Sequence, residues 1–148
     1  MSIWRKEIDK NIRLHGRFVF SVFAAEDIHA DWPFSYSVGN TLKGLPELLV
    51  LGLIDNWTIN VLSELMIDRG GPFTDSEIVS LGGPRPVKLY HAADEVKDLY
   101  TIQAGQYFGA RPYSVMQVIV PDREGRFAGD PGCERPYCEV PIFRKCSA

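Results

Sequence analysis

Cysteine, histidine and unbroken apolar sequence are all scarce in this chain of 148 residues, and each scarcity removes a class of protein. The three cysteines, Cys133, Cys138 and Cys146, are an odd count that fits reduced thiols better than a disulfide framework. Their C-x4-C-x7-C spacing differs from the paired C-x2-C knuckles of structural zinc sites, and His15, His29 and His91 share no ligand spacing. No metal site is expected. The longest apolar run, residues 48–54, is interrupted by Gly52 and falls far short of the ~20 residues that span a bilayer. Basic charge is not in excess either: 16 Lys and Arg face 19 Asp and Glu, for a net charge of −3. Without a surplus of cations to displace phosphate counterions, no nucleic-acid partner is expected. Residues 1–7 carry charges every few positions and lack the apolar core of a signal peptide. The reading is a cytoplasmic protein with no membrane partner.

What the chain does have is the composition of an ordinary soluble domain, 45% hydrophobic and 24% charged, and residues 1–148 are read as one globular unit with a real core. Its 13 Gly and 10 Pro exceed the roughly 12% share of an average protein. Fourteen of them lie in two blocks, residues 70–86 and 121–141. These blocks are expected to be irregular segments beside a well-patterned core.

Periodicity supplies the elements. Trp4, Ile8 and Ile12 recur at helical spacing over residues 3–15, with Ser2 placed to cap and Gly16 to terminate. Phe18, Phe20 and Val22 alternate as in a strand, and so do Phe34, Tyr36 and Val38 against Ser35 and Ser37. The continuous run at residues 48–51 predicts a central strand covered on both faces. Asp55 is positioned to cap a helix with Thr58, Val61, Leu62, Leu65 and Met66 on one stripe, stopped at Gly70. A short strand is expected at Ile78 and Val79, another at residues 87–91, and a last strong one at 115–120. Asp94 is expected to cap a third helix carrying Val96, Leu99, Tyr100 and Gln103 as far as Gly109. The sum is an α+β domain with a mainly antiparallel sheet of about five or six strands and two to three helices.

Several short motifs carry polar chemistry. Residues 35–39, S-Y-S-V-G, approach the G-x-S-x-G nucleophile elbow, but Ser35 replaces the first Gly and a loop, not a helix, follows. Ser37 is therefore read as lining a polar face or pocket wall beside Tyr36. Residues 39–44 have the first spacing of a P-loop yet continue into Leu45-Pro46, without the Lys and hydroxyl that hold phosphate and Mg²⁺, so a Walker site is excluded. Glu47 opens the most apolar strand, and a carboxylate there must be paired or sit at a cleft rim where burial raises its pKa. His15 ends the first helix, and Asp122 sits in a turn, P-D-R-E-G.

In order along the chain, His15-Gly16, Phe34-Ser35-Tyr36-Ser37-Val38-Gly39, Pro46-Glu47-Leu48 with Gly52, Tyr107-Phe108-Gly109, Gln117 and Pro121-Asp122-x-x-Gly125-Arg126-Phe127 resemble the bacterial family called domain of unknown function 4262. The chain departs from that pattern where Arg17 replaces a usual Trp, Asn40 a usual Leu, and Ala128-Gly129 a usual Pro-Trp. The resemblance implies an autonomous bacterial domain and no particular activity. It adds weight to grouping Tyr36, Ser37, Glu47, Gln117 and Asp122 in one site.

The leading expectation is a small-molecule pocket with hydrolase- or transferase-like chemistry. In it Glu47 or Asp122 acts as general base, His15 carries protons, and Tyr36, Ser37, Gly39 and Gln117 hold the ligand. That reading requires Glu47, Asp122 and Tyr36 to share one cleft. The alternative is a non-catalytic regulatory or protein-interaction module using Trp32, Trp57 and Tyr137. A flavin or nucleotide binder is the lesser alternative, since no dinucleotide fingerprint is present. The residues identify no cofactor and no oligomeric state.

Overall fold

Alternation of large apolar with small or polar side chains builds the first strands, and the computed structural model, which describes residues 3–23 and 32–145, joins them edge to edge. Helix α1 (Ile3–His15) leads into β1 (Phe18–Val22), which pairs antiparallel with β2 (Phe34–Val38); β2 then pairs antiparallel with β3 (Glu47–Leu51). Helix α2 (Asn56–Arg69), the short strand β4 (Ile78–Val79), strand β5 (Val87–His91) and helices α3 (Val96–Leu99) and α4 (Ile102–Phe108) precede β6 (Val115–Ile119). The sheet order is β1-β2-β3-β6-β5-β4, with β3 and β6 its parallel pair and every other pairing antiparallel. This is the mainly antiparallel α+β architecture that the pattern predicts. The expected cap Ser2, together with His29 and Cys146, lies outside the described residues.

Period-two alternation divides the core into two layers. Tyr36, Val38, Leu49 and Leu51 point to the face packed with Ile8, Val96, Tyr100, Ala104 and Phe108, while Leu48, Val50, Met116 and Val118 meet Ile59, Leu62 and Met66 of α2. Strand β3 is thus covered on both sides. Full burial of each of its leucines is worth roughly 1.5–3 kcal/mol.

Two helices differ in detail from their sequence patterns. In α2, Asp55 caps as expected, accepting from the Thr58 N–H at 3.0 Å, and Gly70 ends the helix in the left-handed region. The buried stripe, however, is Thr58, Ile59, Leu62, Ser63 and Met66; Val61 and Leu65 are only half-buried. Ser63 is accommodated on this face by a polar partner, the Asn40 side chain. The helix expected from Asp94 to Gly109 is broken into α3 and α4. Tyr100 leaves helical geometry (φ −128°), setting its ring edge-on against Phe34 and Phe143, and the buried Thr101 hydroxyl lies 3.0 Å from that of Tyr113. Asp94 gives no side-chain cap; its carboxylate pairs with Lys97 instead, at 3.3 Å. Among the described residues no helix is long and apolar enough to cross a membrane.

Candidate functional site

Glu47 is the first residue of β3, and its side chain is completely buried. A lone carboxylate there would cost several kcal/mol, so the surrounding chain must supply donors. The tight turn Asn40–Lys43, a 3-10 helix that follows β2, does so. Oε1 accepts from Ser37 Oγ at 2.7 Å and from the Asn40 N–H at 3.2 Å. Oε2 accepts from the Gly39 N–H at 3.2 Å, the Thr41 N–H at 2.8 Å and Thr41 Oγ1 at 2.6 Å. The carboxylate therefore closes the amino end of the turn. Burial pushes its pKa above the ordinary 4.5, opposed by the hydrogen bonds from Thr41, Ser37 and Gly39.

Gly39 is required for this arrangement. Its φ is +140°, and a Cβ added there would stand 2.8 Å from the Gly16 carbonyl oxygen and the Arg17 Cα. The two motif segments His15-Gly16 and residues 34–39 thus touch backbone to backbone, a contact that tolerates no side chain.

A second polar layer supports the first. Asn40 Nδ2 donates to Ser63 Oγ at 2.9 Å and to the Pro46 carbonyl at 3.3 Å, and Ser63 Oγ donates to the Ile59 carbonyl at 2.8 Å. Arg17, also buried, donates to Asn40 Oδ1 at 3.3 Å, Asn60 Oδ1 at 3.1 Å and Glu64 Oε1 at 2.5 Å. Arg17 and Asn40, two of the positions at which the sequence departs from the pattern that it resembles, are therefore direct partners. Sequence reading missed Thr41, Asn60, Ser63 and Glu64; the signal available was the polar set 60, 63 and 64, one turn apart on a single helix face. Among the described residues no buried side-chain nitrogen or oxygen lacks a partner.

The other expected site residues lie elsewhere. Asp122 follows the carboxyl end of β6, whereas Glu47 pairs with Val115 at the amino end of that strand. The two carboxylates occupy opposite ends of the sheet, and the single cleft holding both with Tyr36 does not form. Asp122 is a turn clamp: it accepts from the N–H groups of Glu124, Arg126 and Glu134 and from Arg126 Nε, all at 2.8–3.0 Å. Burial alone would raise its pKa, but the Arg126 and Glu134 N–H groups, the Arg126 guanidinium and the Glu124 N–H outweigh it and hold the group at about 2. Gln117 spans to the C-terminal segment, donating to the Pro141 carbonyl at 2.7 Å and accepting from the Phe143 N–H at 2.8 Å. Tyr36 points to the opposite sheet face from Ser37, donating to Gln103 Oε1 at 2.6 Å. Burial raises its pKa. His15 is exposed at the end of α1, and its side chain forms no hydrogen bond to a described residue. Among the described residues no group of three or more His, Cys, Asp and Glu is placed to hold a metal ion.

A cleft of about 500 Å³ opens above Glu47, lined by Thr41, Gly44, Leu45, Arg111, Pro112, Tyr113 and Ser114. Thr41 links it to the buried carboxylate, since the hydroxyl that donates to Glu47 belongs to a residue of the cleft wall. The exposed Arg111 guanidinium has no hydrogen-bond or ion-pair partner among the described residues. Burial raises the pKa of Tyr113, as does the charge of Glu47, so its hydroxyl stays protonated.

Comparison with known sequences gives one family: the profile described as a domain of unknown function, DUF4262, matches residues 11–134. No curated protein and no solved structure matches the chain.

Proposed function

The chain belongs to the DUF4262 family, whose description names no activity, and on the geometry of this chain we propose that it is a small-molecule-binding domain whose ligand sits in the cleft over Thr41. The observation that carries the reading is the unpartnered Arg111 beside Thr41 and Ser114, in a concavity of about 500 Å³. That volume falls within the usual ligand-site range. A planar, always-charged guanidinium matches carboxylate or phosphate in a two-pronged geometry, so the ligand is a compact anion. The Ser114 hydroxyl supplies a neutral donor and Tyr113 an aromatic wall, while Thr41, whose hydroxyl is already donated to Glu47, lines the floor.

In this reading Glu47 is a positioning residue. It fixes the Thr41 amide and hydroxyl from beneath and is too deeply covered to meet a ligand. Hydrolase- or transferase-like chemistry would have to draw its base from the ligand or from solvent. The setting proposed is a reducing cytoplasm, supported by the odd cysteine count, and a bacterial one by the family resemblance.

A thermal-shift series with small mono- and dicarboxylates and sugar phosphates tests the reading. At a concentration about 100 times its Kd, a true ligand stabilises the native state by roughly 2.7 kcal/mol, several degrees in Tm. The expected result is a saturable rise with at least one such anion, abolished in Arg111→Ala. If none stabilises the protein while a pulldown recovers a stoichiometric partner protein, the interaction-module reading replaces this one.

A further inference from the structure

The parallel strands β3 and β6 run toward the same end of the sheet, opposite the Thr41 cleft. β3 exits there to Asp55 and α2, and β6 exits through Val120 and Pro121. Carboxyl ends of adjacent parallel strands commonly open a crevice between their departing connections. Here a cavity of about 300 Å³ is walled by Trp57, Leu81, Arg85, Val87, Val120 and Pro121. The glycine- and proline-rich block 70–86 supplies the Leu81 and Arg85 side of it.

Two of these side chains are unused by the fold. Trp57 is 62% exposed and stacks on no other described ring or cation, although it carries the largest apolar surface of any residue type. Arg85 is exposed and forms no hydrogen bond, ion pair or ring contact with a described residue. The acid at the same cavity, Asp55, is occupied: its two oxygens accept from the Thr58 N–H at 3.0 Å and Thr58 Oγ1 at 2.6 Å. The amino end of α2 is thus already capped and is not the feature that attracts a ligand. On the remaining wall Gly83 leaves its backbone bare, since a Cβ added there would meet nothing within 4 Å.

We propose that this cavity binds a planar aromatic compound carrying one anionic group, its ring lying on the Trp57 indole and its anion paired with Arg85. Stacking rewards any flat ring, and the guanidinium rewards phosphate and carboxylate alike. Two sources share this chemistry, a purine nucleoside monophosphate and an aromatic carboxylate, and the volume suits molecules of that size. The site is separate from the Thr41 cleft and does not depend on that reading.

Isothermal titration calorimetry on the full chain with AMP, benzoate, adenosine and inorganic phosphate is the test. The expected result is saturable binding of AMP or benzoate, with the ring-free phosphate and the uncharged adenosine each weaker by about tenfold or more. AMP alone binding identifies a nucleotide source, and benzoate alone an aromatic acid. Trp57→Ala and Arg85→Ala should each weaken the bound probe about tenfold, Trp57→Phe should recover most of the loss, and Arg111→Ala should change nothing here. Because both side chains are exposed, these variants are expected to keep the wild-type circular dichroism. Failure of both probes to saturate by about 10 mM, or undiminished affinity in Trp57→Ala or Arg85→Ala, would overturn the proposal. Loss of binding in Arg111→Ala would instead move the ligand to the Thr41 cleft.

Discussion

Glu47→Ala removes the acceptor shared by three backbone N–H groups and two hydroxyls, whereas Glu47→Gln keeps one of the two acceptor oxygens. Buried donors left without partners cost about 1–3 kcal/mol, and truncation to Ala adds a cavity. Urea unfolding should therefore show Glu47→Ala destabilised by roughly 3–5 kcal/mol and Glu47→Gln by only about 1–3. Equal losses would mean that the negative charge, and not the acceptor geometry, is what matters at this position. The same residue illustrates how far a motif can be read. Pro46-Glu47-Leu48 and Ser37-Val38-Gly39 stand out in the sequence as chemistry, yet each is consumed in holding a turn against the Gly16–Arg17 backbone. Ser37 alone shows this: its Oγ donates to Glu47 and accepts from the Leu48 N–H at 2.9 Å, leaving it committed to the strand junction.

At the scale of elements, the turn after β6 behaves as a pH-sensitive unit. Asp122 titrates near 2 in the folded chain against an ordinary 3.8, so between these values the unfolded chain binds more protons than the native one. The stability that this carboxylate contributes is therefore present above 3.8 and is lost as pH falls toward about 2. Asp122→Asn lacks that dependence. Its deficit in urea midpoint relative to wild type should be full at about pH 5 and shrink as pH approaches about 2; a deficit that stays constant would show that the clamp works without its charge. The motif P-D-x-x-G-R-F is thereby accounted for by local structure: Asp122 gathers the N–H groups, Gly125 takes φ +82°, and Phe127 anchors the turn in a buried position. Helix α2 is the complementary case. Its cap and its stop are visible in Asp55 and Gly70, but the face that it buries also carries Ser63, which is satisfied there by Asn40 of the turn that precedes β3.

For the molecule as a whole, the two core layers share one sheet, with β3 and β6 contributing to both. Loss of either layer uncovers strands on which the other depends, so unfolding should be a single cooperative transition. Far-UV circular dichroism and tryptophan fluorescence, the latter reporting Trp4 on α1, Trp32 just before β2 and Trp57 on α2, should give coincident urea curves; separated midpoints would reveal two independently unfolding layers. The sequence by itself determined the strands, the buried central position of residues 48–51, the ends of α2 and the α+β class. These follow from periods of 2 and 3.6 residues and from capping chemistry, which act between near neighbours. Only the tertiary structure decided what the polar residues do. Whether Glu47, Asp122 and Gln117 are free to meet a ligand depends on how many donors and acceptors the folded turns and neighbouring segments bring to them, from Thr41, Glu134 and Pro141 respectively. It likewise decided that Arg111 at one end of the sheet, and Trp57 and Arg85 at the other, stand at cavities without partners among the described residues. A side chain's unsatisfied chemistry is a property of its surroundings, and the order of residues along the chain does not contain it.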